Sequence, residues 1–139
     1  MSEPTYIVAV AALIFREGKV LAMRRAAWKD AGAGQWETLS GRLQPGEQPF
    51  EAVQRECREE CALTVRFDTR PVGASQALRG DQPMVVLYYR ADHVAGEVIR
   101  SPEHDAHAWM SPEAFSSVTP FAPLAEMVRK AARLPCGSG

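Results

Sequence analysis

The sequence predicts an α/β (α+β) protein in which strands and two or three helices pack in layers. Three observations carry that expectation. The apolar, β-rich runs YIVAVAALIF (6–15) and MVVLYYRA (84–91) read as strands. Between them, residues 49–62 place Phe50, Val53, Cys57 and Cys61 on one face at about 100° per residue, as an amphipathic helix does. A second helical pattern closes the chain over 121–133.

The remaining elements follow in order. Arg16-Glu17-Gly18-Lys19 reads as a hairpin turn between the first strand and VLAMRR at 20–25. The small residues and glycines of AAWKDAGAGQW mark a loop over 26–36. A short strand is expected over 36–39. Pro49 suits the first turn of its helix, where no backbone N–H is needed. A strand is expected over 64–69 and a short one over 108–110. Ser111 caps a brief helix that has Pro112 at its first position. Residues 135–139 read as a frayed tail, and the 139 residues as a single domain with a real core.

Bulk composition excludes several functions. A formal net charge of −1 argues against a broad basic surface for nucleic acid, though not against a local site for a small anion. The N-terminal apolar run has no basic region before it and is too short to span a bilayer, so neither a signal peptide nor a membrane anchor is expected. Cys57, Cys61 and Cys136 form no CxxC pair, and His93, His104 and His107 lack a zinc spacing relative to them. Reduced thiols in a cytoplasmic protein are expected; His104 and His107 are given no role.

The helix at 49–62 carries the chemistry. With Glu56 as reference, Glu59 and Glu60 fall on the same stripe, beside the apolar face rather than opposite it. A charge run serving only solubility has no reason to lie at the core's edge, where desolvation is costly. Glu51–Arg55 and Arg55–Glu59 also fit as i,i+4 pairs lacing an exposed helix. Glu56 and Glu60, however, are like charges at that spacing. Each such contact costs a few tenths of a kcal/mol unless a cation sits among them. Hard carboxylate oxygens suit Mg²⁺ or Mn²⁺, with remaining positions left to water and substrate phosphates.

From Gly41, five residues lead to Glu47 and seven more to Arg55-Glu56, followed by Cys57-Arg58-Glu59-Glu60-Cys61-Ala62-Leu63. This segment, 41–63, resembles the Nudix box, Gly-x5-Glu-x7-Arg-Glu-U-x-Glu-Glu-x-Gly-U, where U is aliphatic. It matches at all six charged or glycine positions from Gly41 to Glu60. The family's last glycine is Ala62 here, Cys57 replaces an aliphatic residue, and Ser40-Gly41 stands where a double glycine is common. None of these changes removes a ligand.

The resemblance, to the MutT-like Nudix hydrolases, implies an α/β/α sandwich with a mixed sheet and a hydrolase acting on phosphoanhydride bonds. It implies Mg²⁺ (or Mn²⁺) held by Glu56, Glu60, Glu59 and the Gly41 carbonyl. Glu59 is implied as a further ligand or the base that activates water. Glu47 and Arg55 would pair, with Arg55 counted among the catalytic group. Glu103 resembles a downstream acid used as base or ligand in some members, and is otherwise a loop acid. Arg24, Arg25 and Lys29 are candidates to steer phosphates, against the plainer reading of solvated charges. Trp28, Tyr88 and Phe121 are candidates to stack a base, against the plainer reading of core aromatics.

The expected activity is conversion of a nucleoside di- or triphosphate, damaged nucleotides included, to the monophosphate. A monomer or homodimer is expected, with no nucleic-acid or membrane partner. Alternatives are hydrolysis of ADP-ribose, a nucleotide sugar or another diphosphate, and a non-catalytic nucleotide-binding module. The retained acids argue against the last. The C-terminal pattern WMSPEAF…TPFAPLAEM is similar to the branch that cleans the nucleotide pool. Phe121-Ala122-Pro123 stand where that branch reads an oxidised purine with asparagine, which argues against 8-oxoguanine specificity.

Overall fold

The structure, a computed structural model, describes residues 3, 5–28 and 32–135. Its elements are β1 (Ile7–Arg16), β2 (Lys19–Arg25), β3 (Trp36–Glu37), β4 (Leu39–Arg42), α1 (Pro49–Glu60), β5 (Thr64–Phe67), β6 (Gly73–Arg79), β7 (Gln82–Ala95), β8 (His104–Met110), α2 (Pro112–Val118) and α3 (Ala122–Ala132). The expected layers are present: a large mixed sheet lies between α1 on one face and α2 with α3 on the other.

β1 explains the unbroken apolar run. It pairs parallel with β7, from Ile7↔Met84 to Phe15↔Asp92, and both of its faces are covered. Ala9, Ala11, Leu13 and Phe15 pack with Phe115, Leu124 and Val128 of α2 and α3. Val10, Ala12 and Ile14 pack with Ala52, Val53 and Cys57 of α1. A strand buried on both sides has no polar face to alternate with. The turn after β1 takes positive φ at Glu17 (51°) and Gly18 (78°), the pattern that suits a two-residue hairpin.

The second edge of β1 holds β4, with Val10↔Gly41, and at its end β2. β2 in turn carries β3 and β8. Across the sheet, Arg90 of β7 is buried over the Phe15 ring, 4.8 Å from its centroid. Its Nη1 donates to the carbonyls of Ala131 and Leu134, closing the end of α3.

Three expectations need correction. The strand expected over 36–39 is two short strands, separated at the buried Thr38, and continues to Arg42. β8 begins at His104 rather than 108. β6 was not anticipated: it is largely exposed, so its small and polar residues show no apolar alternation. The Gly80-Asp81 turn that joins it to β7, with Gly80 at φ 62°, was its one sequence signal.

Among the described residues, no helix is long and apolar enough to cross a membrane. Cys57, on the inner face of α1, and Cys61, at its C-cap, are buried free thiols, and Cys136 lies outside the described residues.

Candidate active site

The site is built where β4 meets α1. Gln44-Pro45-Gly46-Glu47 forms a turn closed by Glu47 N–H to the Gln44 carbonyl at 3.0 Å, with Gly46 at φ 81°. That value fits glycine at the third position of a type II turn after proline. α1 then starts at Pro49, and the Gln48 N–H donates to Glu51 at 3.0 Å. The turn and the helix start thus set Glu47 one loop away from Arg55.

Arg55 uses all five of its donors. Nε donates to Glu47 Oε2 at 2.7 Å, and Nη2 to Glu47 Oε1 and the Arg42 carbonyl, both at 3.1 Å. Nη1 donates to Glu56 Oε1 at 2.7 Å and Glu59 Oε2 at 3.3 Å. The guanidinium holds Glu47 below the ordinary carboxylate range, and Arg55 itself is raised by these partners. Like charges at i,i+4 on α1 call for a cation among the glutamates. Part of that compensation comes from Arg55, within the chain.

Glu56 is 8% exposed. Burial is the main cause pushing its carboxyl above the ordinary range; Arg55 opposes that, and the charges of Glu60 and Glu59 add to it. Its carboxylate fills the space over Gly41. A Cβ on Gly41 would lie 2.0 Å from Glu56 Cδ and Oε1, so only glycine admits this approach. Glu59 is the open member, its side chain 57% exposed. Glu60 accepts a 2.8 Å hydrogen bond from Ser101 Oγ.

The segment before β8 brings Glu103 to the same end of α1. The Glu103 N–H donates to Ser101 Oγ at 3.3 Å, and its carbonyl accepts from Ala26. Trp28 Nε1 donates to the neighbouring Pro102 carbonyl at 3.0 Å, which fastens the 26–28 loop to this segment.

Other sequence candidates lie elsewhere. Tyr88 is core, on the α2/α3 side, with its hydroxyl 2.8 Å from Ser75 Oγ. Arg24 pairs with Asp105 at 2.8 Å and lies over Trp36, also on that side. Arg25, by contrast, stays beside the site: it reaches Glu37 at 3.4 Å. Phe121 is exposed ahead of α3, and Lys29 lies outside the described residues.

Besides Ser101, two residues given no role by sequence, His104 and Glu37, join the cluster. His104, 7% exposed, sets Nε2 2.9 Å from Glu37 Oε2 and Nδ1 3.5 Å from Glu60 Oε2. The second distance is an ion-pair approach without a formed hydrogen bond. Burial depresses the imidazole, but Glu37 and then Glu60 outweigh it and push the pKa up to about 9.

Among the described residues, no group of three or more aspartate, glutamate, histidine or cysteine side chains is placed as it stands to hold a metal ion. The donor set nevertheless fits a hard divalent cation: three carboxylates and a glycine carbonyl on adjoining elements, one of them nested where a Cβ would clash. Magnesium sites keep several waters and do not need a complete protein cage.

A family model described as NUDIX domain matches residues 5–131. This chain belongs to the Nudix family. It is similar to the CTP pyrophosphohydrolase of Escherichia coli K12, 33% identical over 109 residues that cover 77% of each protein. It is also similar to the nucleoside triphosphatase NudI of Klebsiella pneumoniae, 31% identical over 118 residues, covering 75% of this chain and 81% of that protein. Among solved structures, the MutT protein of Methanosarcina mazei Go1 superposes with a TM-score of 0.83 at 26% identity, covering 96% of this chain and 97% of the other. The chain is thus a Nudix hydrolase of the MutT-like kind, an enzyme family whose members generally use divalent metals.

Proposed function

We propose that this Nudix hydrolase cleaves a nucleoside di- or triphosphate to the monophosphate with Mg²⁺, or Mn²⁺ in its place. The reading treats the chain as one domain working on a free nucleotide in the cytoplasm, as a monomer or homodimer. The observation that carries it is the nesting of Glu56 over Gly41, with Arg55 gripping the same carboxylate. This arrangement gives up a side chain at one position and buries a charge at another, which packing alone does not call for.

In this reading Glu56, Glu60 and the Gly41 carbonyl would hold the ion, with Glu59 as a further ligand or as the base; a bound ion would supply charge neutralisation at the pyrophosphate and a lowered pKa for water. Arg55 and Glu47 keep the loop and the helix in register. As the base, Glu59, open to solvent, would accept the proton of the attacking water; Glu103, whose backbone N–H bonds the Ser101 hydroxyl beside Glu60, is the alternative acid. In-line displacement at phosphorus asks little more of a protein than positioning and charge stabilisation. Arg25 and Lys29 are retained as the cations that meet the phosphate tail.

The name of the Escherichia coli relative makes CTP the first substrate to try. The test is release of pyrophosphate or phosphate by purified protein with Mg²⁺ or Mn²⁺. The panel is CTP, the other (d)NTPs, oxidised and methylated nucleotides, ADP-ribose, nucleotide sugars and dinucleoside polyphosphates. Turnover of a nucleoside di- or triphosphate that is lost in Glu60→Gln is expected. Turnover confined to ADP-ribose or a nucleotide sugar would overturn the substrate class, and full activity of Glu60→Gln would remove that residue from the site.

A further inference from the structure

β8 contains a register break with a chemical consequence. It pairs with β2 as Met23↔His107 and Arg24↔Ala106, then as Arg25↔His104, so Asp105 is an extra residue. Trp109 packs on the α1 side. Regular alternation from Trp109 through His107 would put Asp105 on that side and turn His104 away. The bulge exchanges them: Asp105 bonds Arg24 on the α2/α3 side, while His104 faces Glu37 and Glu60. Glu37 reaches the same place because β3 sets it opposite Met23, a residue of the α1-side core. Bulges beside active sites commonly re-aim a side chain in this way.

We propose that Glu37 and His104 form a positioning pair that orients Glu60 for the divalent cation. This rests on the reading of Glu60 as a metal ligand. Glu60 is the last residue of α1, with a long side chain that loses appreciable rotamer freedom when fixed. His104 Nδ1 and Ser101 Oγ both approach its Oε2, from the segment that also carries Glu103. Glu37 fixes the imidazole at its other nitrogen, 2.9 Å away. The chain Glu37–His104–Glu60 is an outer partner acting on a ligand through a histidine, and loss of such partners typically weakens metal binding about 10- to 100-fold. A purely structural ion pair between β3 and β8 would leave metal affinity unchanged.

The experiment is a Mn²⁺ titration of the full chain followed by electron paramagnetic resonance of the free ion, without substrate. Wild type should bind Mn²⁺ and Glu60→Gln should lose that binding. His104→Ala should weaken it by about 10- to 100-fold. Glu37→Gln, which keeps size and an acceptor oxygen, should weaken it in the same direction by a smaller factor. The double variant should be no weaker than His104→Ala alone, because Glu37 acts through His104. Circular dichroism checks the fold, and if His104→Ala fails to fold, Glu37→Gln decides alone. Wild-type affinity in folded Glu37→Gln and His104→Ala, or strictly additive losses, would overturn the pair's role while leaving Glu60 as a ligand. Unaltered Mn²⁺ binding in Glu60→Gln, or none in wild type, would overturn the ligand reading, and the pair's role with it.

Discussion

Arg55 and Glu47 meet through two hydrogen bonds, Nε to Oε2 at 2.7 Å and Nη2 to Oε1 at 3.1 Å, and this fork ties the loop after β4 to α1. The same guanidinium reaches Glu56, Glu59 and a backbone carbonyl, so it sets the geometry of the carboxylates as well as their charge. A lysine offers a point charge with three rotatable donors and no planar fork. Arg55→Lys is therefore expected to fold but to bind Mg²⁺ or Mn²⁺ about tenfold or more weakly. Metal-dependent turnover measured over a range of Mg²⁺ concentrations checks this; an unshifted metal requirement would show that charge alone suffices.

Gly41→Ala directs its cost at chemistry rather than stability. The added methyl meets the Glu56 side chain, not backbone, so the carboxylate has to leave its place while the sheet persists. Displacement of a reacting geometry by about 1 Å commonly costs on the order of 100-fold in rate. The variant should show a loss of that order in kcat/KM, with a melting temperature close to wild type. Wild-type turnover by Gly41→Ala would mean that Glu56 works from another position.

Ala62 lies just beyond the cap of α1 at φ 58°, a left-handed conformation that glycine adopts without a steric cost. Its methyl group is exposed, so replacing it forfeits little burial. Ala62→Gly should stabilise the protein by roughly 0.5–1 kcal/mol, the strain relieved exceeding glycine's extra freedom in the unfolded chain. At this chain length that corresponds to a rise in Tm of about 2–3 °C. Thermal unfolding of the two proteins checks it, and a lowered Tm would show that the alanine conformation carries no strain.

Most of the elements are legible in the sequence because their signals are local. Apolar runs gave β1 and β7, proline and a capping serine gave the starts of α1 and α2, and a Glu-Gly turn gave the first hairpin. β6 escaped because an exposed edge strand buries too little to impose a pattern. Ala62 was legible as a departure from the usual glycine, but its left-handed backbone was not. A missing cap residue leaves open whether a helix ends differently or a strained residue takes the place.

The cluster at α1 divides along the same line. Glu47 lies in one turn, and Arg55, Glu56, Glu59 and Glu60 on one helix, so fixed rise and rotation turn their spacing into position and the sequence by itself determined it; Gly41, in β4, meets Glu56 only because that strand packs on α1. Glu37, Ser101 and His104 come from distant strands and segments, and only the tertiary structure joined them to Glu60. One extra residue in β8 decides which face His104 takes, and strand alternation read along the chain assigns it to the wrong side. Pairing register depends on the neighbouring strand, so it appears only when the sheet has formed.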